Sequence, residues 1–82
     1  MTRSDELAYY LSLNAVRQAL ITRIRLIRTN IRLLIQLGEP AATRRRMANE
    51  LNRVLERKRD TEMEIITMSE ELHFPLPQAL RN

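Results

Sequence analysis

A chain of 82 residues makes one domain at most, and a hydrophobic content of 44% excludes compositional disorder. The absence of Cys rules out disulfides and thiolate metal sites, and one Gly with three Pro leaves little material for β-turns. The net charge of +4 is unevenly placed: residues 1–22 balance, residues 23–59 carry ten Arg and Lys58 against Glu39, Glu50 and Glu56 for +8, and residues 60–82 carry Asp60, Glu62, Glu64, Glu70 and Glu71 against Arg81 for −4.

Apolar spacing predicts a first helix from about Ser4 to Leu37. Ser4 is placed as its N-cap, with Asp5 and Glu6 in the first turn, where the helix dipole favours anions. The stretch RIRLIRTNIRLLIQL, residues 23–37, starts with the alternation of a strand, but two apolar residues adjoin at Leu26-Ile27 and break that period. Leu13, Val16, Leu20, Ile24, Ile27, Ile31 and Leu34 step by three and four throughout, so the helical period wins.

Gly38 stands where a C-terminal cap belongs and Pro40 where a new helix begins, which makes LGEP the turn of a helical hairpin. The second helix is predicted over about 40–72. Its seam of Met47, Leu51, Val54, Lys58, Thr61, Ile65, Met68 and Leu72 alternates steps of four and three, the spacing of a coiled coil, with Lys58 and Thr61 as polar breaks. Pro75 and Pro77 forbid regular helix in the tail 73–82, whose Phe74 and Leu76 are expected to fold back over the open end of the hairpin. The predicted fold is therefore an all-α antiparallel hairpin of two helices, each about 50 Å long, in a single domain spanning 1–82.

A hairpin buries one stripe on each helix, and chains of this size offset their conformational entropy with difficulty. The first helix carries a second apolar strip, Ala19, Leu26, Leu33 and Leu37, separated from the main stripe by Arg23 and Asn30. Either this strip wraps around an irregular hairpin onto the tail, or it meets a partner. The second alternative predicts a four-helix bundle of two copies, with a dimer favoured, or docking onto another protein. Asn30 and Lys58 would set its register.

The arginines fall in two groups. Arg25, Arg28 and Arg32 share a face of the first helix away from its main stripe, and Arg44, Arg45 and Arg46 occupy the first turns of the second helix. Cations at that end oppose the helix dipole, as do Glu70 and Glu71 at the far end, each by about 0.3–1 kcal/mol before screening. The turn end is thus basic and the open end acidic. A solvated face with local pairs such as Arg53–Glu56 and Lys58–Glu62, recognition of an acidic protein surface, and contact with nucleic-acid phosphates all account for these charges. Nucleic acid is the lesser expectation, because no aromatic residues are interleaved for base stacking and no helix-turn-helix spacing is present. A basic amphipathic helix lying on a membrane is the weakest of the alternatives.

No constellation for catalysis is present. His73 is the lone histidine and reads as a helix-end residue; Ser4, Ser12 and Ser69 have no base beside them; Gly38 does not form a phosphate loop. The expectation is no catalytic residue, no metal, no cofactor and no small-molecule substrate. No apolar run reaches bilayer-spanning length and the first ten residues lack a signal-peptide layout, so a soluble cytoplasmic protein is expected. The small helical chorismate mutases also carry arginines on a long first helix, but the third helix they need is missing from residues 73–82.

In hairpin length and in its LGEP turn the chain resembles two kinds of small helical hairpin: the RNA-binding hairpins of plasmid copy control, which dimerise into four-helix bundles, and the hairpin cochaperones of type III secretion systems. The resemblance is one of shape and no further motif accompanies it. The predicted function is accordingly a non-enzymatic protein-interaction module, such as an adaptor, a cochaperone or a phage-type inhibitor. Its contact residues are Ala19, Leu26, Leu33 and Leu37 with Arg25, Arg28, Arg32, Arg44, Arg45 and Arg46; the alternative is an RNA-binding hairpin dimer.

Overall fold

The computed structural model describes residues 2–81. Two helices, α1 (Arg3–Gln36) and α2 (Ala41–Leu72), pack side by side, and a single 3₁₀ turn (Gln78–Leu80) interrupts the tail. The molecule is a rod of 53 × 26 × 14 Å, whose long dimension matches the roughly 51 Å that 34 helical residues span.

Helix α1 starts two residues earlier than Ser4 would place its cap. Thr2 is the N-cap: its hydroxyl accepts the Asp5 N–H at 3.1 Å, and the Asp5 carboxylate accepts the Thr2 N–H at 3.3 Å. This reciprocal box satisfies two otherwise unpaired donors, which Ser4, lying inside the first turn, could not do. The far end closes as the turn sequence predicts. Gly38 N–H reaches the Ile35 carbonyl at 3.1 Å and Glu39 N–H the Leu34 carbonyl at 3.0 Å, the paired bonds of a Schellman motif. Gly38 takes φ 68, a conformation that costs an L-residue about 1–2 kcal/mol. Pro40 sits at the N-cap of α2 rather than inside it and makes no side-chain capping bond, so the arginines that follow meet a helix end with no acidic residue in its first turn.

Two apolar clusters fill the hairpin. Towards the turn, Leu20, Ile24, Ile27 and Val54 are buried, with Val16, Ile31, Met47, Leu51 and Leu55 packed around them. Towards the open end, Tyr10, Leu13, Ile65 and Phe74 are buried, with Met68, Leu72, Leu76 and Leu80 around them. The second cluster exists because the tail folds back. The Phe74 ring lies 5.0 Å from that of Tyr10, the Tyr10 hydroxyl donates to the Pro75 carbonyl at 2.6 Å, and the Ser69 hydroxyl donates to that of Phe74 at 2.6 Å. Arg3 lies 4.2 Å above the Phe74 ring and donates to the Leu72 carbonyl at 2.6 Å, serving the last turn of α2 that lacks a basic residue of its own. His73 makes the helix-to-tail reversal in the left-handed region, at φ 58.

Between the clusters lies a polar layer that apolar periodicity does not reveal. Arg17 is buried, and its Nε donates to Glu62 at 2.6 Å; Lys58 reaches the other oxygen of Glu62 at 3.2 Å. Thr61, also buried, returns its hydroxyl to the Arg57 carbonyl. Lys58 and Thr61 are the seam's polar breaks, so the layer sits where the coiled-coil spacing is interrupted. The expected Arg53–Glu56 pair is not among the ion pairs of the described residues.

Candidate interaction surface

The hairpin leaves two broad faces and two backs, and the predicted contact residues divide among them. On one side of the seam, Arg25 and Arg28 rise beside a shallow groove of about 340 Å³ that also includes Arg17, Ile21, Ile24, Leu55 and Lys58. Arg17 and Lys58 are already engaged by Glu62, whereas Arg25 and Arg28 make no ion pair among the described residues. Partial burial pushes the Glu62 carboxyl up, but the hydrogen bonds from Arg17 and Lys58, with their charges, outweigh it and hold the group below the ordinary carboxylate range.

On the other side, Asn30, Leu33, Leu34 and Leu37 of α1 meet Thr43 and Met47 of α2 around an open, mostly apolar groove of about 370 Å³. A neighbouring groove brings Arg46, Glu50 and Arg53 beside the same Thr43 and Met47. Arg23, at the edge of the strip, is paired with Glu50. Arg32, Arg44 and Arg45 are exposed. The ten predicted residues therefore do not form one surface: the leucine strip and the Arg25–Arg28 edge lie on opposite flanks of α1, and Arg46 alone of the predicted arginines lines a groove on the strip's side. The physical reason is angular. At 100° per residue, Arg28 points about 160° from Leu26 around the helix, while Arg25, about 100° from Leu26, borders the strip.

The strip itself is open to solvent. Leu26 is 61% exposed, Leu33 48% and Leu37 73%, and Ala19 is exposed as well. Asn30 lies between this strip and the main stripe, exposed at the edge of the groove shared with Thr43 and Met47. The strip also reaches further than its leucines: Thr22 fills it between Ala19 and Leu26, and Ala8, Ser12 and Ala15 continue it towards the open end, all of them exposed. Leu11, Gln18, Thr29 and Gln36 flank it, equally exposed. From Ala8 to Leu37 this strip and its flank carry no charged side chain between Arg23 on one edge and Arg25 and Arg32 on the other, in a protein of which 29% is Asp, Glu, Lys or Arg. The signal was present in the sequence, but small residues do not register as an apolar stripe until the neighbouring helix is seen to leave them bare.

The charges segregate along the rod as the linear order implies. Arg28, Arg32, Arg44, Arg45 and Arg46 are exposed at the turn end, and Asp5, Glu70 and Glu71 are exposed at the open end. At the acidic end the Tyr9 hydroxyl donates to Glu64 at 2.5 Å, a bond to a carboxylate that raises the phenol's pKa. No cluster of three or more His, Cys, Asp or Glu capable of holding a metal occurs among the described residues, and no described helix is long and apolar enough to cross a membrane. Comparison of the chain with protein-family models, with curated proteins and with solved structures finds no match, so the surfaces of the hairpin themselves carry the functional argument.

Proposed function

We propose that this chain is a non-catalytic protein-interaction module that docks through the back of α1, with the arginine-rich turn end steering the encounter. The observation that carries the reading is the uncharged, exposed strip along the back of α1 bearing Leu26, Leu33 and Leu37. A helix that is solvated on its outer side gains nothing from leaving three leucines there, and contiguous exposed apolar surface marks contact sites. The basic end supplies long-range attraction to an acidic surface, which accelerates association more than it strengthens the final complex. The hairpin thus acts as a rigid helical face, the element from which adaptors and cochaperones recognise other helices.

The test is capture from the native host with the wild-type chain and with the L26E/L33E double variant. A protein retained stoichiometrically by the first and lost by the second supports the reading. Retention that is equal for both, or absent for both, sinks it.

A second reading rests on Arg25 and Arg28, which line an open groove without carboxylate partners among the described residues and suit phosphate oxygens. On that reading the chain retains RNA with an affinity that falls steeply with salt, and R25E/R28E abolishes retention. Under the first reading the same substitutions leave protein capture largely in place.

A further inference from the structure

The occupant of the back of α1 can be named from the way its side chains are graded along the rod. Towards the open end the strip is built from Ala8, Ala15 and Ala19; towards the turn end it is built from Leu26, Leu33 and Leu37. One half is therefore a shallow trough, walled on one edge by the exposed Leu11, and the other is a ridge. We infer that the partner is a second copy of this chain, packed antiparallel through α1 so that the leucine half of each copy lies on the alanine half of the other. The inference rests on the reading above and specifies its partner.

Three features of the molecule converge on this arrangement. The first is steric. In an antiparallel pair, the register that sets Leu33 opposite Ala8 also sets Leu26 opposite Ala15, because both pairs are centred on the same point. Each leucine then enters a space that a larger side chain would close, which is how knobs and holes are matched between facing helices. A parallel pair would press leucine on leucine at one end and leave alanines facing a void at the other.

The second is electrostatic. Antiparallel packing brings the basic turn end of each copy, with Arg28, Arg32 and Arg44 to Arg46, beside the acidic open end of its partner, where Asp5 is exposed. It also sets the two α1 dipoles head to tail. A parallel pair would place basic end on basic end. The third is the strip's lack of charge. A two-fold interface puts the same patch on both copies, so any charged residue near the axis meets its own kind, and a patch used this way is best left neutral.

In this register residues 8–33 of the two copies overlap, a surface about 38 Å long and about 11 Å wide, on the order of 400 Å² per copy, which is below the roughly 600 Å² per partner of a stable interface and in the range of transient contacts. The dimer is accordingly expected to dissociate on dilution rather than to be permanent.

Because the natural chain has no cysteine, single substitutions report the arrangement directly. The expected result is a concentration-dependent dimer by sedimentation velocity, together with one crosslinking pattern under mild oxidation. Ala8→Cys and Leu33→Cys, each alone, give little disulfide-linked dimer, since each thiol is far from its own copy. An equimolar mixture of the two gives at least a tenfold higher yield. Strong self-crosslinking of Ala8→Cys alone overturns the antiparallel arrangement, and self-crosslinking confined to Arg28→Cys overturns the choice of face. A chain that stays monomeric at every concentration, or that partitions onto anionic vesicles without dimerising, overturns the second copy as occupant. In that last case the capture experiment with L26E/L33E still decides on its own whether α1 docks another protein. Circular dichroism of each variant separates loss of assembly from loss of fold.

Discussion

The two helices present matching faces to each other and opposite faces to the outside. Inward, both use apolar residues at steps of three and four, interrupted by one shared polar layer. Outward, α2 shows Arg45, Arg53, Glu56, Arg59, Asp60 and Glu70 around a single exposed Met63, whereas α1 keeps its exposed Arg23, Arg25, Arg28 and Arg32 off a strip of alanine, threonine and leucine. The inner faces bury six residues of α1 against three of α2, and the outer faces differ as well. Core formation does not account for the composition of the back of α1, and its contrast with α2 makes that back the most informative surface of the protein.

The largest effect is expected on the inner faces. Ile65 is wholly buried in the cluster that joins both helices to the tail, and Ile65→Ala is expected to lower the unfolding free energy by about 2–5 kcal/mol, measured by urea denaturation. If the loss is below about 1 kcal/mol, the two inner faces are not packed as described. Next comes the outside of α1. L26E/L33E is expected to weaken self-association by 100-fold or more while leaving helicity unchanged, as followed by sedimentation and circular dichroism, because four charges would be desolvated across a two-fold interface. The matched change on α2, N52E/M63E, is expected to leave sedimentation as it is; a comparable effect there would erase the distinction between the two backs.

The polar layer gives a smaller and pH-dependent effect. The folded-state pKa of Glu62 lies below its ordinary value of 4.5, so its ionised form stabilises the fold. That stabilisation is fully present above the unfolded value and is lost as pH falls through the lowered folded value. Glu62→Gln should cost about 1–3 kcal/mol at pH 7 and remove this component of acid sensitivity, so that the stabilities of the two proteins converge as the solution is acidified. Last comes the helix end. His73 holds a left-handed conformation that glycine adopts without strain, and His73→Gly is expected to raise stability by about 1 kcal/mol, read as a shift in the urea midpoint.

Much of this was legible from residue order. The spacing of Leu13 to Leu34 and of Met47 to Leu72 specifies two helices and the stripe each buries, and Gly38 with Pro40 specifies where the chain reverses. Local chemistry is sufficient there because helix period, glycine's access to positive φ and proline's fixed φ act over a few residues. Thr2, not Ser4, caps α1: both residue types cap well, and only the reach of the Asp5 carboxylate back to Thr2 separates them. The predicted residues also read as one contact set in the linear chain, and the fold separates them.

Residue order by itself determined the hairpin, its turn, the segregation of charge along its length and the presence of more apolar surface on α1 than one neighbour needs. Residue order also brought Phe74 and Leu76 over the open end and paired Lys58 with Glu62; tertiary structure alone decided that Tyr10 is the ring on which Phe74 closes, that Arg17 is buried against that same Glu62, and that the leucine strip and the Arg25–Arg28 edge face different ways. The reason is range. Periodicity and turn chemistry are properties of neighbouring residues, whereas a side chain's burial and its partner depend on which distant surface arrives beside it, and on which surface is left uncovered.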